Sequence, residues 1–316
     1  MNANNPVIQT ENLGKTYAKN RRETVQALKN LNLSVQPGEI FGYLGPNGAG
    51  KTTTIRILLD LIRPSDGRVA IFGQDAQQNS VELHKRIGFL PGELNLWKNL
   101  SGQQVVSYIG KVRGGVDLNY VRQLTNRLEL DLSLKVRSYS SGNKRKLGLV
   151  IALMNKPDLL ILDEPTNGLD PLMQQIFNEM MLEFQKDGRT VFLSSHILSE
   201  VQAICDRVGI LRAGELRAVE TVTNLTHANF RWVTVQLREK VDANQFVSVA
   251  GVSEVSAVDG GLKLRLSGDF DPLLRALNPY YVAKMEVAEP SLEEIFLTYY
   301  GNGSRVQGQQ GKEVVK

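Results

Sequence analysis

Up to about Glu220 the chain alternates short apolar runs with amphipathic stretches. Ile40–Leu44 is apolar without a break and predicts a buried strand. Beyond a glycine-rich loop, Ile55, Leu58, Leu59 and Ile62 recur at i, i+3, i+4 and i+7, the stripe of a helix. Arg63-Pro64-Ser65-Asp66-Gly67 carries turn residues. Asp158–Leu162, Thr190–Ser194 and Val208–Leu211 are further apolar runs separated by helical stretches. Strands alternating with helices predict a parallel sheet covered on both faces.

Between about Lys85 and Met154 the helical pattern dominates, which predicts a helical subdomain inserted into the sheet. Ser101-Gly102-Gln103-Gln104 is a capping-box pattern ahead of a helix with Val105, Tyr108, Ile109 and Val112 on one face. A second helix begins near Asp117, and a third carries Leu147, Val150, Ile151 and Met154. From Phe230 the texture changes. Strands are predicted at Arg231–Leu237, Val252–Val258, Leu262–Leu266 and Tyr280–Val287, with helices at Val241–Val249 and Asp271–Leu277. That order is βαββαβ, a small ferredoxin-like unit. Ser291-Leu292-Glu293-Glu294 predicts the cap of a last short helix, and Gly301–Lys316 a disordered tail. The expected division is therefore 1–220, 221–300 and 301–316.

Composition narrows the class. The 316 residues are 42% hydrophobic and 22% charged, ordinary globular values that exclude wholesale disorder. A net charge of +4 is too mild to point to nucleic acid as a partner. One cysteine, Cys205, rules out an internal disulfide framework and fits a reducing compartment. Met1–Thr10 lacks the pattern of a secretory signal. No run approaches the ~20 apolar residues of a membrane span.

Gly45-Pro46-Asn47-Gly48-Ala49-Gly50-Lys51-Thr52 fits G-x-x-x-x-G-K-[ST], with a strand before and a helix after. Glycines allow backbone N–H groups to turn inward around phosphates, and the following helix points its positive end at them. Lys51 is the candidate for the β- and γ-phosphates and Thr52 for Mg²⁺. Leu159–Leu162 ends in Asp163 and Glu164. These acids are candidates for Mg²⁺ coordination and for general base; alternatively they cap the next helix, since Pro165 and Thr166 follow. His196 follows the strand Thr190–Ser194 and is either a γ-phosphate contact or a plain residue at a helix start.

These motifs together resemble the ATP-binding cassette family over about residues 7–220. Tyr139-Ser140-Ser141-Gly142-Asn143 is similar to its Leu-Ser-Gly-Gly-Gln signature, 15 positions before Asp158, where the acid-tipped strand run starts. Asn167-Gly168-Leu169-Asp170 resembles the D-loop, and His196 the H-loop histidine. Tyr17 resembles the aromatic that stacks on adenine. The stretch Glu289–Phe296 is similar to the C-terminal region of drug- and antibiotic-export ATPases. The resemblance implies a P-loop α/β cassette with an N-terminal antiparallel β part, a helical subdomain and a small C-terminal α+β domain. It implies that Gly45–Thr52, Thr53, Ser140–Asn143 and Asp170 bind ATP, and that Glu164 and His196 are catalytic.

In such a family two cassettes close head to tail on MgATP, so a second ATPase subunit is expected, and the signature closes on the partner's γ-phosphate. A bare helix N-cap at Ser140 is the plainer reading. Three departures stand out. Tyr139 replaces Leu. Ser141 and Asn143 replace Gly and Gln. Gly92 stands where the family has the Q-loop Gln that contacts Mg²⁺, leaving Glu93 as the neighbouring metal candidate.

The reading is an ATPase subunit of an exporter on the cytoplasmic face of the membrane, driving a separate permease. A soluble cassette ATPase acting on ribosomes or DNA is the alternative, and one P-loop without sustained heptads speaks against it. A kinase or GTPase is the third reading and is disfavoured. Leu94, Leu96 and Trp97 form an apolar cluster on an expected loop. They are either tucked under the helical subdomain or offered to the permease, with the helix Gln103–Val112 as the other wall of the groove.

Overall fold

The computed structural model describes residues 5–18, 23–226, 230–239, 241–288 and 290. The expected cap at Ser291–Glu294 and the tail from 301 lie outside them. The chain divides into two compact units, the second beginning at Thr223.

The first unit opens with β1 (Ile8–Ala18) and β2 (Thr24–Val35), followed by β3 (Ile40–Leu44) and α1 (Lys51–Leu58). β4 (Asp66–Ile71), β5 (Gln74–Asp75), α2 (Ser80–Arg86) and β6 (Ile87–Leu90) come next. Then follow α3 (Gly102–Val112), α4 (Leu118–Arg127), α5 (Ser141–Leu153), β7 (Leu159–Asp163) and α6 (Pro171–Lys186). β8 (Thr190–Ser195), α7 (Leu198–Ile204), β9 (Arg207–Arg212) and β10 (Glu215–Thr221) complete the series, and the short helix α8 (Val222–Thr226) starts on the last residue of this unit and runs into the second.

A six-stranded sheet runs β10-β9-β3-β8-β7-β6, parallel from β9 to β6, and a separate antiparallel sheet runs β2-β1-β4-β5. Every residue of β3, β7 and β8 is buried. Side chains alternate between the two faces. Phe41, Tyr43, Ile161 and Phe192 join the antiparallel sheet and α1 in one core with Leu13, Leu28 and Ile55. On the other face Gly42 meets α7, where a Cβ would come within 2.6 Å of Val201. Two covered faces are why these strands read as unbroken apolar runs. Their shared direction brings the ends of β3, β7 and β8 together, at Leu44, Asp163 and Ser195.

Three helices, α3 to α5, lie between β6 and β7. Ser101 forms the expected capping box with Gln104, and Asp117 caps α4. The buried face of α3 differs from expectation. Val105 and Val106 are buried together with Gly102 and Gly110, while Tyr108 and Val112 are exposed. The glycines explain it: a Cβ at Gly102 would strike the Tyr139 hydroxyl, and one at Gly110 would stand 2.8 Å from Val116. Close backbone approach selects this face, and glycines leave no mark in an apolar count. Helix α1 also stops before Ile62, because Asp60 turns the chain with φ +51°. The expected turn at Arg63–Gly67 ends early, since Asp66 and Gly67 already belong to β4.

The second unit has β11 (Phe230–Leu237), β12 (Val252–Val258), β13 (Gly261–Ser267), α9 (Asp271–Leu277) and β14 (Val282–Ala288). Its antiparallel order β12-β13-β11-β14 is that of a ferredoxin-like sheet. Val233, Val235, Leu264 and Leu266 pack with Leu273 and Leu277 of α9. The helix expected at Val241–Val249 is only a single 3-10 turn, Ala243–Phe246. Phe246 alone in that turn is buried and Val247 is exposed, so no common face forms, and the β-branched valines favour helix weakly. The last strand starts at Val282 rather than Tyr280.

Candidate functional site

The glycine-rich loop Gly45–Gly50 joins β3 to α1. Gly48 and Gly50 hold φ of +79° and +114°, values that strain any residue with a Cβ. Gly50 is the N-cap of α1, so the first N–H groups of the helix are not occupied by a capping side chain. At Gly45 a Cβ would collide with the Leu211 carbonyl. The loop borders a cleft of about 220 Å³ lined by Ala27, Gly48, Lys51, Thr52, Thr53 and Glu164, with Pro46, Asn47 and Gly50. Ala49 faces inward and is buried.

Lys51 is 6% exposed. Its ammonium donates to the Gly45 carbonyl at 2.5 Å and the Pro46 carbonyl at 3.3 Å, and lies 3.2 Å from Glu164 Oε1. Thr52 Oγ1 donates to Asp163 Oδ2 at 2.9 Å, and Ser194 Oγ donates to Asp163 Oδ1 at 2.6 Å. Asp163 is buried, and these two hydroxyls fix its carboxylate plane. Glu164 stands at φ +50°, an uncommon backbone for a non-glycine residue. Its N–H donates to Ser194 O and Oγ at 3.2 and 3.1 Å. That geometry turns its side chain into the cleft rather than along the strand. Glu164 Oε2 is 2.8 Å from His196 Nδ1. Behind this pair, Glu200 accepts from Thr166 Oγ1 at 2.5 Å and Ser195 Oγ at 2.6 Å, tying the segment after Glu164 to the end of β8.

The alternatives left open by the sequence separate here. Asp163 and Glu164 cap no helix, since α6 begins at Pro171 with Asp170 as its N-cap, accepting from Met173 N–H at 3.0 Å. His196 lies before α7, whose N-cap is Ile197, and is engaged by Glu164. The cleft thus gathers Lys51, Thr52 and Glu164, with Asp163 bonded to Thr52 and His196 to Glu164.

Other candidates sit elsewhere on the chain. Ser140 caps α5 by accepting from Asn143 N–H at 3.2 Å, and Ser141, Gly142 and Asn143 form the first turn of that helix. None of the four, nor Asp170, lines the cleft of its own chain. Gly142 packs on the turn before Asp170: a Cβ there would stand 2.8 Å from the Gly168 carbonyl oxygen. Tyr139 is buried and donates to the Asp131 carbonyl at 2.6 Å; burial pushes its phenol pKa up. Tyr17 is 37% exposed near the end of β1, with the Lys15 ammonium 5.1 Å from its ring centre. Ala27 lines the cleft through β2 and carries no sequence signal.

Glu93 is exposed and, among the described residues, makes no hydrogen bond or ion pair. Gly92 faces the carboxylate instead, since a Cβ on it would stand 3.1 Å from Asp163 Oδ2. The loop cluster divides. Leu94 is tucked against Gly148 of α5, whereas Trp97 is 50% exposed and sets its ring edge-on to Tyr108 at 5.3 Å and 78°. Among the described residues no cluster of three or more His, Cys, Asp or Glu side chains is arranged for a metal, and no helix is long and apolar enough to cross a membrane.

A family profile described as ABC transporter matches residues 28–167, and one described as ATP-binding protein DrrA1-3-like, C-terminal domain, matches residues 227–300. The chain is 33% identical to the bacitracin transport ATP-binding protein BcrA of Bacillus licheniformis, over 94% of this chain and 98% of that one. It is 32% identical to the linearmycin resistance ATP-binding protein LnrL of Bacillus subtilis, over 95% of this chain and 100% of that one. Among solved structures, a dimeric ATP-binding cassette in a post-hydrolysis state bound to ADP and Pi superposes with a TM-score of 0.62 at 26% identity. It covers 68% of this chain and 98% of that one.

Proposed function

This chain belongs to the ABC transporter family as one of its ATP-binding, ATP-hydrolysing subunits, and from that premise we propose how its residues divide the work and what it drives. Lys51 and the N–H groups of the glycine-rich loop bind the β- and γ-phosphates. Thr52 and Asp163 present hard oxygen donors side by side, a set that suits Mg²⁺ completed by phosphate oxygens and water. The ion, when bound, neutralises charge on the phosphates. Tyr17 offers its half-open ring to the adenine.

The observation that carries the reading is the placement of Glu164 between Lys51 and His196 at the cleft. In the free chain one carboxylate oxygen is held by Lys51 and the other by His196. A phosphate that takes the Lys51 ammonium frees Oε1, while His196 keeps Oε2 and hence the orientation. Oε1 then accepts the proton of the water that attacks the γ-phosphorus, and ADP departs as the P–O bond breaks. Ser140, Ser141, Gly142 and Asn143 act on the nucleotide of a second subunit, which is why they stand apart from the cleft of their own chain.

The chain works at the membrane surface, on the cytoplasmic face, by driving a separate permease. The names of its bacitracin and linearmycin relatives support export of an antibiotic-type compound. Trp97 and Tyr108, edge-on and half exposed, form the surface that receives the permease, beside α3. The test is Glu164→Gln. It is expected to bind ATP, turn over at least ~10²-fold more slowly, and accumulate as an ATP-bound dimer in light scattering. A variant that stays monomeric with nucleotide bound, or hydrolyses at the normal rate, refutes the assignment.

A further inference from the structure

Arg145 lies in the second turn of α5 and is 5% exposed. Its Nε donates to the Asn167 carbonyl at 3.3 Å, one terminal nitrogen to the Pro91 carbonyl at 2.7 Å, and the other to the Gly92 carbonyl at 2.9 Å. Among the described residues it forms no ion pair. A buried guanidinium with no carboxylate in contact is costly to keep. Burial pushes its pKa down, and the negative field of Asp163 and Glu164 acts in the opposite direction. The charge is therefore held by three backbone carbonyls and by a field from the site, not by a salt bridge.

Both loops that it grips border the two carboxylates. Gly92 stands against Asp163, as its 3.1 Å Cβ approach shows, and has no side chain with which to anchor its own loop. Asn167 belongs to the turn that leaves Glu164, its N–H donating to the Glu164 carbonyl at 3.3 Å. The Gly92 loop continues into Leu94 and Trp97, the second of which is exposed. A planar fork with donors on three sides spans carbonyls spread over two loops in a fixed geometry, whereas a lysine concentrates its donors at one point.

We propose that Arg145 is a positioning residue for hydrolysis: its guanidinium fastens the Pro91–Gly92 loop and the Glu164–Asn167 turn into one unit, so that displacement of the first moves the general base. It touches neither nucleotide nor reacting atoms and acts through main-chain carbonyls alone. The proposal rests on the ATPase reading above.

The test uses the full chain with Arg145→Lys, and Lys51→Ala beside it. Arg145→Lys keeps the charge and loses the fork. The expected result is a KM for MgATP within about twofold of wild type and a kcat at least ~10-fold lower, because the base is misplaced while nucleotide binding is not. Hydrogen exchange is expected to speed up together at the amides of 92–94 and 167–169. A kcat equal to wild type, or a raised KM with unchanged kcat, overturns the proposal. A measurement on the wild type alone also decides it, whether or not the variant folds. The two loops should open with one common free energy, and independent opening overturns the coupling. Hydrolysis that persists in Lys51→Ala would instead sink the ATPase reading itself.

Discussion

Replacing Gly142 with alanine separates stability from catalysis at the signature turn. The added methyl carbon would stand 2.8 Å from the Gly168 carbonyl oxygen, closer than real Cβ atoms approach. The obstacle is backbone, so no side chain can swing away. Ordinary contact begins near 3.4 Å, so the N-terminus of α5 and the turn at Gly168 must part by roughly 0.6 Å. Overpacking of this kind costs about 1–3 kcal/mol. Gly142 sits in the first turn of α5, where alanine returns at most the ~1 kcal/mol that it gains over glycine in a helix interior. The two terms partly cancel, and the melting temperature should fall by a few degrees, on the order of a 1–2 kcal/mol change.

Catalysis has no such compensation. Gly168 lies in the segment that starts at Glu164, through Asn167 N–H to the Glu164 carbonyl at 3.3 Å and Leu169 N–H to the Thr166 carbonyl at 3.0 Å. A shift of ~1 Å at a positioned group can cost ~10²-fold in rate, so about half that displacement should cost ~10-fold. ATP binding to the isolated chain should not change, since Gly142 does not line the cleft. Steady-state ATPase, nucleotide titration and thermal unfolding on the same preparation measure the three quantities. Wild-type turnover at an unchanged melting temperature would refute the argument. So would a turnover loss that merely tracks loss of folded protein.

Trp97→Ala should leave ATP affinity and folding of the isolated chain intact, because the ring is half exposed and Trp97 does not line the cleft, yet weaken recovery with membranes when the permease is co-expressed. Unfolding, or loss of nucleotide binding in the isolated variant, would make Trp97 part of the core. Glu93→Ala should give the same Mg²⁺ dependence of ATPase as wild type, since the side chain is exposed and makes no bond among the described residues; a weakened Mg²⁺ response would return Glu93 to the site. Gly88→Ala should destabilise the first unit by ~3 kcal/mol or more or prevent folding, because a Cβ there would run into the Ala152 carbonyl and within 2.8 Å of Pro157, and chemical denaturation measures it.

What the sequence shows and what it hides follow from where each signal is encoded. The strands that hold the site are legible because two covered faces demand unbroken apolar runs, as in Ile40–Leu44 and Leu159–Leu162. The glycine-rich loop is legible because positive φ restricts its residue types. The buried face of α3 is not, because its contacts are made by Gly102 and Gly110, which register as neither apolar nor polar. Tyr108 and Val112 then complete a false stripe in the pattern, while in the fold both are exposed and Tyr108 lies against Trp97. Gly92 reads as a lost ligand with a carboxylate beside it. In the fold Glu93 is exposed and, among the described residues, makes no bond, and the loop is held by Arg145, more than fifty residues away in the chain. Local spacing carries no trace of a bond made across that distance. The same holds for Glu164: its identity as an acid at a strand end is visible, but its backbone turn at φ +50° and its two partners, Lys51 and His196, exist only once β3, β7 and β8 lie side by side. Chemistry that depends on residue type can therefore be read from the chain, whereas chemistry that depends on which loop is fastened to which must come from the fold.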